Sequence, residues 1–213
     1  MDAVIKVGGS LQADPVALKN LSKTLKEVTN RYNLLIVPGG GNFSDLVHKL
    51  QGKHGISDQV AHQMAILCMD VYGLMLHDLI DGSTLTDVPK KNARGCLIFL
   101  PYRISCNSSE LEPTWDVTSD SIAAWIAAKI GCKRLILVKM VDGIFELGRL
   151  QKHIPIEKLK IIKQSCVDQE FSHILERTGI TCWIVNGRYP ERIKKILDGK
   201  RTTCTIISQE VSP

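Results

Sequence analysis

Short apolar runs alternate with stretches of helical periodicity along almost the whole chain. Ala3–Val7, Leu34–Val37, Cys96–Leu100, Arg134–Val138, Thr181–Val185 and Cys204–Ile207 read as strands. Between the first two, Pro15–Arg31 carries Val16, Leu18, Leu21, Leu25 and Val28 at the i, i+3, i+4 spacing of an amphipathic helix. Ser57–Asp78 reads as a longer helix that Ser57 and Asp58 can cap, with Ala61, Ala65, Cys68, Met69, Tyr72 and Met75 recurring on one side. Ser119–Ile130, Val167–Thr178 and Glu191–Asp198 complete the set, and Gly179 and Gly199 close the last two. This alternation predicts an α/β protein with a mostly parallel sheet covered by helices. Phe145–Ile154 breaks the rhythm: after the turn signal Val141-Asp142-Gly143 it reads as a surface hairpin. Nothing resembles a linker or a repeat, so residues 1–213 are expected to form one domain.

Two of the strands end in glycine. Val4–Leu11 (VIKVGGSL) is an apolar strand, broken by Lys6, that runs into Gly8, Gly9 and Ser10. Leu34–Val37 runs into Pro38, then Gly39, Gly40, Gly41 and Asn42, and a further helical pattern follows. Without Cβ atoms, such corners let backbone N–H groups face outward and receive an oxyanion, best of all beside a helix N-terminus. Either corner alone is equally well a plain strand-to-helix turn. As a pair they place two anion-friendly loops on the carboxyl edge of one sheet, where open α/β folds bind ligands.

Composition narrows the function. A hydrophobic content of 44% with 23% charged residues is that of an ordinary globular protein, and no apolar run approaches a membrane span. The chain starts directly on a strand, so a cytoplasmic location is the expectation. The net charge of +5 comes from basic residues scattered at helix-surface spacings. That argues against nucleic acid and suits a protein handling several phosphates. Seven dispersed cysteines without a C-x-x-C pair indicate neither a disulfide framework nor a zinc site. His62 and His77 stand in no metal-binding pattern, so no protein-held metal is expected.

Other candidates have two readings each. In Thr118-Ser119-Asp120-Ser121, Ser119 or Asp120 is an N-cap; alternatively, Asp120 faces the glycine edge, orienting Lys6 or helping to hold magnesium through water. Lys139 is a solvated strand end or a phosphate ligand, and Asp142-Gly143 is a turn or the border of a nucleotide site. Arg188 pairs with phosphate, stacks on a base or is solvated. There is no G-x-x-x-x-G-K-[ST] and no G-x-S-x-G.

In order, VIKVGGSL, VPGGGNF, DVTSDSIAAWIA, VKMVDGIF and VNGRYPERIKKIL resemble the amino acid kinase family, which includes aspartate, acetylglutamate and uridylate kinases. TWDVTSDSIAAWIA, SCVDQEFSHIL, VNGRYPERI and SDQVAHQMAILCMDVYG look most like its archaeal branch in methanofuran biosynthesis, which adds a phosphate to [5-(aminomethyl)furan-3-yl]methyl phosphate. The resemblance implies a three-layer α/β/α sandwich, ATP with Mg2+, in-line phosphoryl transfer and a homo-oligomer, for which Ser57–Asp78 offers a face. It makes Lys6 and Asp120 catalytic, with Gly8, Gly9 and Ser10 cradling the transferred group. Gly39, Gly40, Gly41 and Asn42 would hold the acceptor, and Lys139, Asp142, Gly143 and Arg188 the nucleotide.

Three departures refine the expectation. Relatives that make acyl phosphates carry a late lysine, whereas Gln164–Leu175 offers Asp168 and Glu170 and no lysine beyond Lys163. The acceptor is therefore expected to be a phosphomonoester, as for the furan-phosphate and uridylate kinases, and not a carboxylate. Lys139-Met140 stands where relatives have a small hydroxylated residue followed by Asp, Asn or Lys, and Thr202–Ile206 lacks their Gly-Thr. Asp116 and Asp45 are the candidate partners of an acceptor amine. The alternatives are a uridylate-like kinase, or a non-catalytic oxyanion-binding protein on the same fold.

Overall fold

The computed structural model describes residues 1–162 and 166–209; Lys163, Gln164 and Ser165, part of the stretch expected to lack a late lysine, lie outside them. β1 (Ala3–Val7) runs through a 3-10 turn at Gly9–Ala13 into α1 (Pro15–Val28), followed by β2 (Leu34–Pro38), α2 (Asn42–His54) and α3 (Asp58–Leu79). Next come β3 (Thr84–Thr86), β4 (Cys96–Phe99), α4 (Tyr102–Ser105), α5 (Ser119–Lys129) and β5 (Arg134–Lys139). The hairpin β6 (Phe145–Glu146) and β7 (Arg149–Leu150) precedes β8 (His153–Pro155), α6 (Ile156–Leu159) and α7 (Gln169–Thr178). The described chain closes with β9 (Thr181–Asn186), α8 (Glu191–Leu197) and β10 (Thr205–Ser208).

Eight strands form one sheet in the order β3-β4-β2-β1-β5-β9-β10-β8. Every neighbouring pair in it is parallel except β9 with β10. Helices cover both faces, giving the expected three-layer sandwich. Ala3, Ile5 and Val7 pack with Leu18, Leu21 and Leu25 of α1 and Ile193 and Ile196 of α8. Val4 faces the other way, into a core with Ile122 and Ile126 of α5 and Phe171 and Leu175 of α7. Strand periodicity thus sorts alternate residues of one strand into two cores. It also fixes where the charged residues of these strands point. Lys6 shares the parity of Val4, and Lys139 that of Leu135 and Leu137, so both lysines point toward the α5 layer.

Several boundaries differ from those read off the sequence. α1 stops at Val28 because Thr29 turns its hydroxyl back onto the Lys26 carbonyl, ending the helix before Arg31. α7 starts at Gln169, with Asp168 as its cap, its carboxylate accepting from the Phe171 N–H at 2.8 Å. The cap of α5 is neither Ser119 nor Asp120 but Thr118, whose hydroxyl accepts the Asp120 N–H at 3.2 Å. Ser57 caps α3 as expected. The burial pattern of α3 differs, however. Its buried residues are Ala61, His62, Ile66, Met69, Tyr72, Gly73 and Leu76, whereas Met75 is exposed. A second apolar stripe, Val60, Leu67, Val71 and Leu74, faces outward. A helix apolar on nearly all sides gives periodicity no single face to select.

Candidate active site

β1, β2 and β5 end side by side: Val7 pairs with Pro38 on one flank and with Val138 on the other. β1 is where the chain's strand order reverses, the position at which an open parallel sheet leaves a crevice beyond its carboxyl ends. The two glycine corners meet in that crevice. The Gly8 N–H donates to the Val138 carbonyl at 2.8 Å and the Gly39 N–H to the Val7 carbonyl at 2.9 Å. A Cβ on Gly9 would lie 2.1 Å from the backbone nitrogen of Gly41, and one on Gly39 would lie 2.7 Å from that of Gly9. Only glycine permits this approach. Gln12 stitches the corners together, its amide donating to the Gly40 carbonyl and accepting the Asn42 N–H at 3.1 Å.

A cavity of about 350 Å³ opens on these corners, lined by Lys6, Gly8, Gly9, Ser10, Gly40 and Gly41 together with Ser44, Ser119, Lys139 and Cys166. Two helix N-termini reach its wall, that of α2 through its N-cap Gly41 and Ser44, and that of α5 through Ser119. α1 begins only after the 3-10 turn, so the first corner is not a direct strand-to-helix junction. The partial positive charge of α5 adds to the two lysines.

Lys6 and Lys139 close on the buried Asp120. Lys6 Nζ is 2.8 Å from Oδ1, and Lys139 Nζ is 2.5 Å from Oδ2 and 2.5 Å from the Cys166 carbonyl. Of the two readings of Asp120, the geometry takes the lysine-orienting one: both carboxylate oxygens face ammonium groups. The Lys6 contact is an ion pair at hydrogen-bonding distance, buried on both sides. Lys6 turns one side of its ammonium to Asp120, and its remaining donors are left for the cavity it lines at 5% exposure. Burial pulls the Lys6 pKa below its ordinary value, against the attraction of Asp120. Burial acts on Asp120 too, but Lys6 and Lys139 outweigh it and hold the carboxyl below its usual range. Asp120 is thus an anion held between two lysines.

The N-terminal end of α5, which carries Asp120, is fixed by Asp168, which accepts from the hydroxyls of Thr118, at 2.5 Å, and Ser121. Asp168 thereby links the first turns of α5 and α7.

The other candidates lie outside the lining of this cavity. Asn42 is exposed, with its N–H on Gln12. Asp142 pairs with Arg192 at 2.5 Å, and Arg188 with Asp14 at 3.0 Å. Gly143 is required by packing, since a Cβ there would meet the Thr205 hydroxyl at 2.2 Å. Asp45 and Asp116 are exposed and line neither this cavity nor the chamber next to it.

That chamber, of about 160 Å³, shares Gly40, Ser44 and Ser119 with the cavity and extends between α3 and α5. Its walls are Ile66, Met69, Val117, Ile122 and Trp115, with His62 among them. Trp115 is held by a 2.8 Å hydrogen bond to Gln51 and by the His48 ring, 4.7 Å away between centroids. Gln12, Ser44, Trp115, the place of His62 in the chamber and Asp168 as a buttress were not singled out by pattern. Each is an ordinary polar or apolar residue whose role appears only when distant segments meet.

Among the described residues, no cluster of His, Cys, Asp or Glu is placed to hold a metal ion, and no helix is long and apolar enough to cross a membrane.

The sequence model of the amino acid kinase family matches residues 1–95 and 98–186. The chain is 33% identical to the [5-(aminomethyl)furan-3-yl]methyl phosphate kinase of Methanocaldococcus jannaschii, over 96% of each protein. It is 25% identical to a uridylate kinase of Methanothrix thermoacetophila, over 93% of this chain and 96% of that one. The crystal structure of uridylate kinase from Archaeoglobus fulgidus superposes with a TM-score of 0.78 at 19% identity, over 98% of this chain and 100% of that one. With that match and the lysine-lined glycine crevice in place, the chain belongs to the amino acid kinase family and is a phosphotransferase.

Proposed function

We propose that the protein is an ATP-dependent kinase that converts a phosphomonoester into a diphosphate, with [5-(aminomethyl)furan-3-yl]methyl phosphate as acceptor. The observation that carries the reading is the adjacency of a lysine-lined cavity and a small, mostly apolar chamber that share Gly40, Ser44 and Ser119. The cavity suits neighbouring phosphates and the chamber suits a ring. At about 160 Å³ the chamber is well below the ~300 Å³ at which ligand pockets commonly begin. One five-membered ring is a better occupant than a ribose and a pyrimidine together. The name of the Methanocaldococcus relative supports the same substrate.

The chemistry asks little of the protein beyond position and charge. An oxygen of the acceptor phosphate attacks the γ-phosphorus of ATP, the new P–O bond forms as the β,γ bridge breaks, and ADP leaves. A phosphate monoester is largely dianionic at neutral pH, its second pKa being about 6, so its attacking oxygen needs no general base. That fits a cavity whose one buried carboxylate is engaged by two lysines. A hydroxyl acceptor would need a base that the lining does not offer. Lys6, the backbone N–H groups of Gly9, Gly40 and Gly41, and Ser10 stabilise the spreading charge of the transferred group, while Gly8, its N–H on the Val138 carbonyl, shapes the corner. The buried Lys6 side chain, which lines the cavity, fits a nucleotide's phosphates. Magnesium, which neutralises phosphate charge when bound, would be held mainly by phosphate oxygens and water. Lys139, Asp142, Gly143 and Arg188 border the nucleotide in this reading, and Gly39 and Asn42 frame the acceptor corner.

One domain carries both substrates. Seven free thiols fit a reducing, cytoplasmic setting. The outward stripe Val60, Leu67, Val71 and Leu74 on α3 serves self-association, and neither nucleic acid nor membrane is a partner. Uridylate kinases among the relatives support a second reading, with UMP as acceptor. ADP release by the purified protein separates the two: turnover is expected with the furan phosphate and not with aspartate or N-acetylglutamate. A preference for UMP selects the second reading. ADP formation undiminished in Lys6→Ala would refute the assigned role of Lys6, and no turnover with any phosphomonoester would favour a non-catalytic oxyanion-binding protein.

A further inference from the structure

The chamber between α3 and α5 has a single ring nitrogen without a partner, and it belongs to His62. This side chain is 5% exposed and lines the chamber but not the anion cavity. Its Nε2 lies 3.1 Å from the carbonyl of Val117. A carbonyl only accepts, so Nε2 carries the proton. Among the described residues, Nδ1 has no hydrogen-bond partner. Burial lowers the pKa of the imidazole, so the ring is neutral and Nδ1 is a bare lone pair. The remaining walls are mostly hydrocarbon, from Ile66, Met69, Val117 and Ile122. Asp45 and Asp116, the acids within reach along the chain, are exposed elsewhere.

We infer that His62 is the specificity residue for the acceptor: its Nδ1 accepts a hydrogen bond from a donor substituent, a primary amine, on the ring seated in the chamber. This rests on the phosphomonoester-kinase reading and deepens it. The phosphate occupies the glycine corners, which share Gly40, Ser44 and Ser119 with the chamber, and the ring extends from there between α3 and α5. The substituent that meets His62 is therefore on the side of the ring away from the phosphate. A ring without that donor displaces water from Nδ1 and gives it no partner in return, so the site selects against it.

The test compares two acceptors, [5-(aminomethyl)furan-3-yl]methyl phosphate and the same phosphate bearing a methyl group in place of the aminomethyl. The native protein should favour the amine in kcat/KM by on the order of 10- to 100-fold, as one charge-assisted hydrogen bond predicts. His62→Gln keeps a donor for the Val117 carbonyl and loses the Nδ1 acceptor. It should bring the ratio close to one, mainly through KM for the amine. Because the readout is a ratio within one variant, a loss of folded protein does not move it. His62→Asn, which restores an acceptor near the Nδ1 position, should recover part of the preference. A ratio unchanged in His62→Gln, with the native protein active, overturns the inference and leaves the kinase reading intact. No turnover of either furan phosphate by the native protein overturns both.

Discussion

Gly9 and Gly41 come from separate strand ends, and a methyl group on the first would sit 2.1 Å from the backbone nitrogen of the second. Their contact joins two generic turns into one site. Gly9→Ala must push the corners apart. We expect a stability loss of about 1–3 kcal/mol, as for other overpacked positions. In the proposed reaction the corners position both substrates, so kcat/KM should fall by about 100-fold. Thermal unfolding and steady-state ADP release measure the two effects side by side.

Lys6 and Asp120 separate catalysis from stability. Lys6→Ala removes the cavity-lining lysine but leaves Asp120 with Lys139 at 2.5 Å. The variant should stay folded by circular dichroism and lose on the order of 100- to 1,000-fold in kcat.

Asp120→Ala leaves two lysines facing each other at the sheet edge without their shared anion. Breaking a buried charge pair from one side costs about 3–5 kcal/mol. Urea denaturation should show that loss in Asp120→Ala and a clearly smaller one in Lys6→Ala. Equal losses would contradict the assignment of Lys139 as a second partner.

Asp70 on α3 predicts a pH effect away from the site. Burial raises its pKa to about 6, although the Tyr102 N–H at 3.2 Å favours the carboxylate. The folded state thus holds a proton that the unfolded chain releases near its ordinary value of 3.8. Stability from this group is full below pH 4 and is lost as pH rises through about 6. Asp70→Asn should remove that slope and add about 1–2 kcal/mol above pH 6, after allowance for partial exposure. Urea titrations at pH 5 and 7.5 measure it.

The outer stripe of α3 predicts self-association. Val71 and Leu74 are 46% and 53% exposed, with Val60 and Leu67 on the same side. Val71→Glu combined with Leu74→Lys should lower the mass in sedimentation equilibrium while leaving the fold unchanged. The same mass in the native protein and the variant would remove this face from consideration.

Much of the framework could be read from pattern, because short apolar strands and amphipathic helices declare themselves within a few residues. Strand parity alone sends Lys6 and Lys139 to the α5 layer, where Asp120 begins its helix. What stayed hidden depends on distant segments meeting. Gln12 is one polar residue in a 3-10 turn until Gly40 and Asn42 arrive beside it. His62 is one position on a helix apolar on both sides, and only the Val117 carbonyl reveals its tautomer. β3 and β8 are three residues each, too short to show a period. Thr118 gave the same local cap signal as its two neighbours, and the choice among them came from Asp168, fifty residues away.

The most direct measurement is phosphorus NMR of the product formed from ATP and [5-(aminomethyl)furan-3-yl]methyl phosphate. Two mutually coupled signals from a new diphosphate, appearing in step with ADP and absent with Lys6→Ala, are the predicted result. An unchanged monophosphate resonance, or a new acyl phosphate signal when a carboxylate is supplied instead, would contradict a cavity built for two adjoining phosphates.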